Sequence, residues 1–358
     1  MAQNSNTDPA IPASHPAADA PQDDSTAPRA QTVTQESGDS ARHTTSIQTD
    51  GGAYVQGDVA VGGDLIGRDQ NIYGDRVTGT KITVVVQDAA EAAAVSKDAL
   101  QRQALITGDY VRKPYEPETV LIPTGPFLMG SDARSGFEAP PHEVTLPPFR
   151  MGKYPVTNGE FEAFIKAEGI RVAPELGWDG QTPFADRLRY PVSGVTWHEA
   201  LDYCDWLRAQ TGRPYALPTE AHWEKAARTA DGRLYPWGNA WQAARCNHES
   251  AAPTAVDAFP AQNEYGVYDM VGNVRQWTCT LWGDGLRQPE PRYAYPWSAD
   301  ERNDLTASDQ IRRVWRGGGY ADKIETLRCA ARGAQLPTSR GVPKKRFGFR
   351  VMIRWEEV

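Results

Sequence analysis

The segment of residues 313–352 near the end of the chain constrains the fold most strongly, because two glycine-containing anchors bracket it. The first anchor is Arg316-Gly317-Gly318-Gly319, and the second is Gly348-Phe349-Arg350. Glycine permits close backbone approach that a side chain excludes. No helical pattern follows the triple glycine, as a phosphate-binding loop would require. We therefore interpret the anchors as sites of close packing that hold a segment of mixed small, polar and apolar residues between them.

From about Val120 onward the chain has the aromatic, mixed composition of a globular α+β domain. Apolar spacing predicts helices over 161–168, 196–210 and 219–228, with Thr196 as the N-cap of the second helix and Cys204 on its buried face. A long Trp- and Gly-rich region follows, and short strands end the domain. So much loop needs clamps such as metal ions or stacked aromatic rings.

Three segments precede this domain, which we place at 114–358. Residues 1–50 contain seven acidic residues, two arginines and no aromatic residue, so we expect a disordered acidic tail. Residues 51–86 repeat Gly-Asp pairs between β-branched pieces, which predicts a Gly-Asp-rich β segment. So short a segment needs further contacts to be stable, and homo-oligomerisation, docking of a partner protein and a linker role all remain open. Residues 87–113 are predicted to be a helical linker, with helix over 88–106.

The charge and hydropathy of the chain exclude several classes of function. A formal net charge of −8 argues against general nucleic-acid binding, which needs a clustered basic surface. The local basic run Lys344-Lys345-Arg346 is interpreted as solvated charge beside the last strands. The sequence has no apolar signal region and no run of about 18 apolar residues. We therefore expect no membrane span and a cytoplasmic location.

The common catalytic and metal motifs are also missing from the sequence. The four cysteines form no CxxC pair, and we expect them to be reduced. The six histidines show no HExxH spacing, and GxSxG, P-loop and dinucleotide-binding patterns do not occur.

A colinear series of motifs identifies what the domain is similar to. It comprises Ile122–Ser131 (IPTGPFLMGS), Pro141–Val144 (PHEV), Lys153–Asn158 (KYPVTN), Pro191–Trp197 (PVSGVTW), Ala216–Glu224 (ALPTEAHWE), Tyr235–Asn239 (YPWGN), Gly266–Trp277 (GVYDMVGNVRQW) and the tail. Over about residues 117–355 the series resembles the formylglycine-generating-enzyme, or sulfatase-modifying-factor, family. That resemblance implies a C-type-lectin-like α+β fold with much irregular structure, often held together by calcium.

The catalytic cysteines that the resemblance would require are missing from the tail. Members of the family that oxidise a sulfatase cysteine use two cysteines to bind Cu(I). The corresponding positions here are Asp322 and Leu327, and a single thiol, Cys329, lies nearby. Carboxylate and apolar side chains cannot meet the soft-ligand demand of Cu(I). We therefore expect no copper and no oxidase activity.

The resemblance also implies a structural calcium site. Its ligands would be Asp269, the carbonyl oxygens of Gly272 and Val274, and the side chain of Gln276, a set of oxygen donors that suits Ca²⁺. The family usually has Glu at the Gln276 position, so the charge of the site is reduced here. A second family site would use Asn247.

The tail resembles a different branch of the same fold, the variable proteins of diversity-generating retroelements. The shared pattern consists of Leu327–Arg332 (LRCAAR), Pro337, Arg340 and the closing Gly348–Val351 (GFRV). In that class, adenine mutagenesis turns AAC codons into NNC at selected positions. Most residues between the anchors are types that NNC encodes, whereas Lys323, Glu325 and Gln335 are not.

This second resemblance implies that residues 313–352 present a diversified surface to a protein or another macromolecular ligand. Trp315, Arg316, Arg332 and Phe349 would hold the scaffold. The predicted ligand-binding residues are Tyr320, Ala321, Asp322, Lys323, Glu325, Thr326, Gly333, Ala334, Gln335, Leu336, Thr338, Ser339, Gly341, Val342 and Pro343. A tolerant loop surface on a rigid scaffold explains such a mixture.

Three functions remain open at this point. The first is a non-catalytic protein with a diversified binding surface, and the second is a non-diversified interaction domain in a bacterial sensing or defence assembly. The third is a copper-dependent oxidase, which the missing thiol pair disfavours.

Overall fold

The computed structural model describes residues 103–354 except for residues 106, 109 and 133–136, together with the backbone of five strands between residues 31 and 83. Two compact units are distinguished, residues 1–99 and residues 100–358.

In the first unit, three strands form one antiparallel sheet: β1 (Gln31–Gln35), β2 (Arg42–Gln48) and β3 (Tyr54–Asp58). A second antiparallel pair consists of β4 (Gly67–Tyr73) and β5 (Arg76–Thr83). β3, β4 and β5 lie within the Gly-Asp-rich segment, and β1 and β2 lie within residues 1–50. The disordered acidic tail and the Gly-Asp-rich β segment stay predictions.

Three helices of the second unit have described bounds, and each of these begins at a threonine N-cap. They are α1 (Asn158–Glu168), α2 (Trp197–Thr211) and α3 (Glu220–Arg228). Each threonine hydroxyl accepts a hydrogen bond from a backbone N–H of the first turn, which satisfies a group that has no partner within the helix. The second and third predicted helices are confirmed to within one residue. The first begins three residues earlier than predicted, at Asn158 rather than Phe161.

The α2 prediction is also confirmed in its packing. Cys204 is fully buried, and Trp197, Ala200 and Leu207 lie in the same core cluster. The helical linker predicted over 88–106 lies mostly outside the described residues, although residues 103–105 are helical. Short 3-10 helices interrupt the loops at Pro174–Leu176, Ala185–Arg187, Ala243–Arg245, Pro291–Tyr293, Glu301–Asn303 and Ile324–Thr326.

Two sheets and a hairpin complete the second unit. The four-stranded sheet has the order β10 (Tyr215–Ala216), β16 (Met352–Arg354), β9 (Phe149–Gly152) and β6 (Thr119–Ile122). The hairpin pairs β7 (Gly125–Met129) with β8 (His142–Leu146). The five-stranded sheet has the order β13 (Arg332–Gln335), β12 (Arg312–Arg316), β11 (Arg275–Gly283), β15 (Lys345–Phe349) and β14 (Gly341–Val342).

The five-stranded sheet positions the tail. Its central strand β11 pairs with β12 in antiparallel fashion and with β15 in parallel fashion, so Gln276 lies opposite both Arg316 and Gly348. The two glycine-containing anchors therefore flank the same residue of β11. The segment between the anchors forms both edges of the sheet, β13 on one side and β14 on the other. Edge strands and their loops are where a sheet can offer backbone and side chains to a partner.

Candidate functional site

The predicted ligand-binding residues are spread over the loops and edge strands of the tail. Those that are exposed are Lys323, Glu325, Thr326, Thr338, Val342 and Pro343. Those that are half-buried are Tyr320, Ala321, Gly333, Ala334, Gln335, Leu336, Ser339 and Gly341. The structure therefore places most of the predicted set at least partly at the surface.

Asp322 is the exception, because its side chain is buried. Its carboxylate accepts hydrogen bonds from Arg275 Nε at 2.8 Å and Nη2 at 2.7 Å, and from the backbone N–H of Gly319 at 2.9 Å. Such a bidentate, charge-assisted pair fixes the turn that follows the triple glycine. These contacts give Asp322 a structural role, and its contact with a ligand stays a prediction.

Trp315 forms a half-buried platform in this region, although the sequence placed it in the scaffold. The guanidinium carbon of Arg275 lies 4.4 Å from the centroid of the indole ring, at cation–π distance. On the neighbouring strand β13, Gly333 pairs with Trp315, and a Cβ added there would lie 2.3 Å from Trp315 Cζ2. Gly333 is thus the residue whose missing side chain makes room for the indole.

A pocket of about 230 Å³ opens beside this platform. Its apolar lining includes Trp315 and Phe137, and Glu325 and Thr326 lie at its tail side. The guanidinium of Arg328 also lines it but is already bound in bidentate fashion to Glu138, at 2.6 and 2.7 Å. The pocket thus combines aromatic surface with two arginines that are paired within the fold and with the carboxylate of Glu325, which is unpaired within the described ranges. Apolar surface with a few polar groups is typical of concave binding sites. Phe137 was missed because it lies far from the tail in sequence.

A second pocket, of about 250 Å³, lies between α2, β10 and the loop at Asn303 and Leu305. None of the predicted ligand-binding residues lines it. The pocket beside Trp315 is therefore the one that the tail builds.

Below the platform, a buried network of arginine and glutamate side chains joins the tail to α3. Arg316 donates to Glu220 at 2.8 Å and also bonds Glu224, and Arg332 donates to the other oxygen of Glu220 at 2.6 Å. The side chains of these four residues are fully buried. Buried charges of this kind are tolerated only when each is paired and hydrogen-bonded. The predicted scaffold role of Arg316 and Arg332 fits this arrangement.

The positions that the resemblance assigns to copper-binding thiols hold no thiol. Asp322 is engaged with Arg275, and Leu327 is fully buried in the core. Cys329 is fully buried as well, and burial raises the pKa of its thiol far above the ordinary value. The other cysteines, Cys204, Cys246 and Cys279, are also buried. Reactive cysteines need a lowered pKa, whereas burial raises the pKa of each of these four thiols.

The five residues predicted to bind calcium lie around one turn. Asp269 is buried, burial raises the pKa of its carboxyl group to about 7, and its Oδ2 accepts a hydrogen bond from Asn273 at 2.7 Å. The side-chain amide of Asn247 reaches the same Asn273 at 3.4 Å.

The side chain of Gln276 turns its nitrogen toward the backbone oxygens of this turn, with Nε2 at 2.6 Å from the carbonyl oxygen of Asp269 and 3.4 Å from that of Val274. In the part of the chain that the structure describes, no group of three or more His, Cys, Asp or Glu could hold a metal ion. The predicted ligand residues are brought together, but Gln276 presents a nitrogen rather than an oxygen to the carbonyl oxygens, and an N–H donor does not fit Ca²⁺.

The described residues contain no helix that is both long and apolar enough to cross a membrane.

Comparison with known proteins now adds independent evidence. A family model described as the sulfatase-modifying factor enzyme 1-like domain matches residues 107–355. The inactive C-alpha-formylglycine-generating enzyme 2 of Mus musculus is 34% identical over 273 residues, which cover 60% of this chain and 86% of that protein. The formylglycine-generating enzyme of Thermomonospora curvata is 30% identical, covering 62% of this chain and 89% of that enzyme.

Among solved structures, the Treponema denticola variable protein 1 superimposes with a TM-score of 0.50 at 20% identity, covering 68% of this chain and 98% of that protein. At this identity the similarity concerns the fold alone. The predicted family and the α+β, C-type-lectin-like fold class are confirmed. Because the relatives include both an inactive protein and enzymes, the comparisons do not by themselves decide the activity.

Proposed function

The chain belongs to the sulfatase-modifying factor enzyme 1-like family, and from that premise we propose that it is a non-catalytic ligand-binding protein of the retroelement variable-protein type. One observation carries the proposal: between its buried anchors the tail also presents exposed side chains that have no side-chain partner in the described part of the chain. The side chains of Lys323 and Glu325 are exposed, and neither has an ion pair or side-chain hydrogen bond among the described residues. A face whose side chains have no task within the fold is free to vary with the ligand.

The non-catalytic part of the proposal is supported by the chemistry of the tail. Asp322 and Leu327 stand where thiols would be needed, and the nearby Cys329 is buried with a raised pKa. An inactive relative in mouse agrees with this interpretation. The active relative in Thermomonospora curvata shows that the fold itself is compatible with catalysis, so the argument depends on these residues.

The binding part is supported by the pocket beside Trp315. Its indole ring is held between Arg275 and Gly333, so little conformational entropy remains to be lost when a ligand stacks on it. Aromatic rings with few rotatable bonds are the preferred anchors of binding surfaces. We propose that a protein ligand inserts a side chain here and contacts the exposed residues around it. We further propose that the protein works in the cytoplasm and associates through residues 51–86.

The diversification can be tested in the neighbouring DNA. We expect a near-identical template repeat of the codons for residues 313–352, differing only at adenines, with a reverse transcriptase gene nearby. If neither is present, the tail is not diversified, and the non-diversified interaction domain becomes the better description.

Binding can be tested by panning a displayed library of random peptides against the full-length protein and measuring selected peptides by fluorescence polarisation. A Thr326→Arg variant fills the pocket mouth and should weaken binding at least tenfold. Leu286→Ala, a change at an exposed residue outside the tail, should leave the affinity unchanged. Peptides that bind both variants equally would show that the pocket is not the ligand site.

The enzyme alternative has its own test. Incubation with Cu(I) and a cysteine-containing sulfatase peptide should give neither stoichiometric copper uptake nor oxidation of the peptide. Stoichiometric copper uptake or oxidation of the peptide would each reject the non-catalytic proposal.

For the N-terminal segment, deletion of residues 51–86 should lower the mass measured by light scattering, and an unchanged mass would reject a role in self-association.

A further inference from the structure

A cluster of backbone oxygens in the turn before β11 is occupied by a side-chain amide. Gln276 Nε2 lies 2.6 Å from the carbonyl oxygen of Asp269, 3.4 Å from that of Val274 and 3.5 Å from that of Met270. Converging carbonyl oxygens normally need a cation or N–H donors to balance their partial charges. Here the two hydrogens of one carboxamide supply the donors.

The orientation of the Gln276 amide is determined by the hydrogen bonds of its oxygen atom. Gln276 Oε1 accepts hydrogen bonds from Trp223 Nε1 at 2.9 Å and from Arg350 Nε at 2.7 Å, and both of these atoms can only donate. A flipped amide would place its NH₂ group against two donors and its oxygen against three carbonyl oxygens. The oxygen of Gln276 is thus not available to a cation, and its nitrogen stands among the carbonyl oxygens.

A permanent positive charge is already present beside the cluster. Arg350 Nη2 donates to the carbonyl oxygens of Tyr268 at 2.7 Å and of Asp269 at 3.1 Å. This guanidinium is fully buried, so its charge is poorly screened by solvent. A second cation at the same oxygens would be repelled by it.

The same amide lies between the two anchors of the tail. A Cβ added to Gly317 would lie 3.2 Å from Gln276 Nε2 and 2.4 Å from the carbonyl oxygen of Met270, so the first anchor packs directly on this turn. The second anchor reaches it through Arg350, which bonds Gln276 Oε1. One carboxamide thus connects the start and the end of the presented segment.

We infer that Gln276, together with Arg350, takes the place of a divalent cation in this turn and fixes both ends of the tail without calcium. The inference concerns the conditions under which the tail surface is formed, and it does not depend on the identity of any ligand. A tail held in this way keeps its geometry at the low calcium concentrations at which a cation-held turn would loosen.

Thermal unfolding of the full-length protein tests this inference. The melting temperature of the wild type should be the same in EDTA and in millimolar CaCl₂. Gln276→Ala removes the amide and should lower the melting temperature by about 5–10 °C in both conditions, because buried carbonyl oxygens lose their donors.

Gln276→Glu provides the complementary variant. Its carboxylate faces the carbonyl oxygens, so it should be destabilised in EDTA and recover by about 5 °C in calcium. Gln288→Glu adds the same charge at an exposed position and should not respond to calcium.

Three results would overturn the inference: a calcium-dependent melting temperature of the wild type, an unchanged melting temperature of Gln276→Ala, or a Gln276→Glu protein that calcium does not stabilise.

Discussion

The anchors of the tail and its middle lie in one continuous segment and obey different physical constraints. Arg316 and Arg350 are fully buried, and their guanidinium groups bond to glutamates, to Gln276 and to backbone oxygens. Lys323 and Glu325 are exposed and have no ion pair within the described part of the chain. The anchors therefore determine whether the sheet forms, whereas the exposed positions of the middle can change composition with little effect on folding. A recognition surface needs this separation, because its residues must vary while the scaffold stays constant.

The largest loss of stability is expected from a change at the first anchor. Arg316→Met keeps much of the volume but leaves the carboxylates of Glu220 and Glu224 without their shared cation. Breaking a buried ion pair by removing one partner costs about 3–5 kcal/mol, and urea unfolding should show this loss. The matched change Arg287→Met at an exposed arginine should cost less than about 0.5 kcal/mol. If the two variants were equally stable, the anchor would not be what holds the tail.

An intermediate loss of stability is expected where the first anchor meets the middle of the tail. Gly333→Ala places a methyl group 2.3 Å from the indole of Trp315, which must then move from its position under Arg275. Overpacking of this kind costs about 1–3 kcal/mol, and the indole N–H signal of Trp315 in a ¹⁵N NMR spectrum should shift.

Ala334→Ser, a change at the next residue of the same strand, serves as the control and should leave that signal in place. A Gly333→Ala protein with wild-type stability and an unshifted signal would show that Trp315 is not held by this contact.

The sequence predicted the helices well because their start signals are local. Thr196 and Thr219 precede apolar-periodic segments, and both are N-caps in the structure. The start of α1 was placed too late, although the signal was present: Thr157 and Glu160 form a capping box, with the Thr157 N–H bonded to Glu160 Oε2 at 2.8 Å. Recognising this capping box in the sequence would have predicted the first turn of α1.

The candidate site was less predictable, because burial of a tail residue depends on partners that are distant in sequence. Asp322 looked like an exposed ligand contact, but Arg275 of another strand captures it. Trp315 looked like core, but the absence of a side chain at Gly333 and the cation–π contact from Arg275 leave it half-exposed beside a pocket. Neither arrangement leaves a local pattern, since each depends on the register of the five-stranded sheet.

The stability of the buried scaffold should also depend on pH, whereas the exposed middle of the tail should contribute no such dependence. Burial lowers the pKa of His222 to about 3, with smaller contributions from the positive charges of Arg354 and Lys225. The hydroxyl of Thr219 lies 2.6 Å from Nδ1 of the ring and also caps α3. In the unfolded chain the pKa is about 6.5, so the folded state binds fewer protons below that pH. The contribution of His222 to the free energy of unfolding should therefore fall as the pH drops, by about 1–2 kcal/mol between pH 7 and pH 5.

Urea unfolding at a series of pH values measures this dependence, and a His222→Gln variant is the control. The variant cannot be protonated there, so the difference between its stability and that of the wild type should shrink as the pH falls. Parallel pH profiles for the two proteins would assign the acid sensitivity to other groups.

The smallest effect on stability is expected in the middle of the tail, and it is the strictest test of the comparison. Lys323→Ala, Thr326→Ala and Val342→Ser each change an exposed side chain, and each should alter the free energy of unfolding by less than about 0.5 kcal/mol. The hydroxyl of Thr326 donates to the carbonyl oxygen of Lys323 at 2.9 Å, so the effects of these two changes couple, whereas the effect of Val342→Ser should add to theirs. The same triple variant should nevertheless change the affinity for peptides selected against the wild type. A combined loss of more than about 2 kcal/mol would mean that the middle also supports the fold. In that case the tail could not vary freely, and the proposed recognition surface would have to be sought elsewhere on the domain.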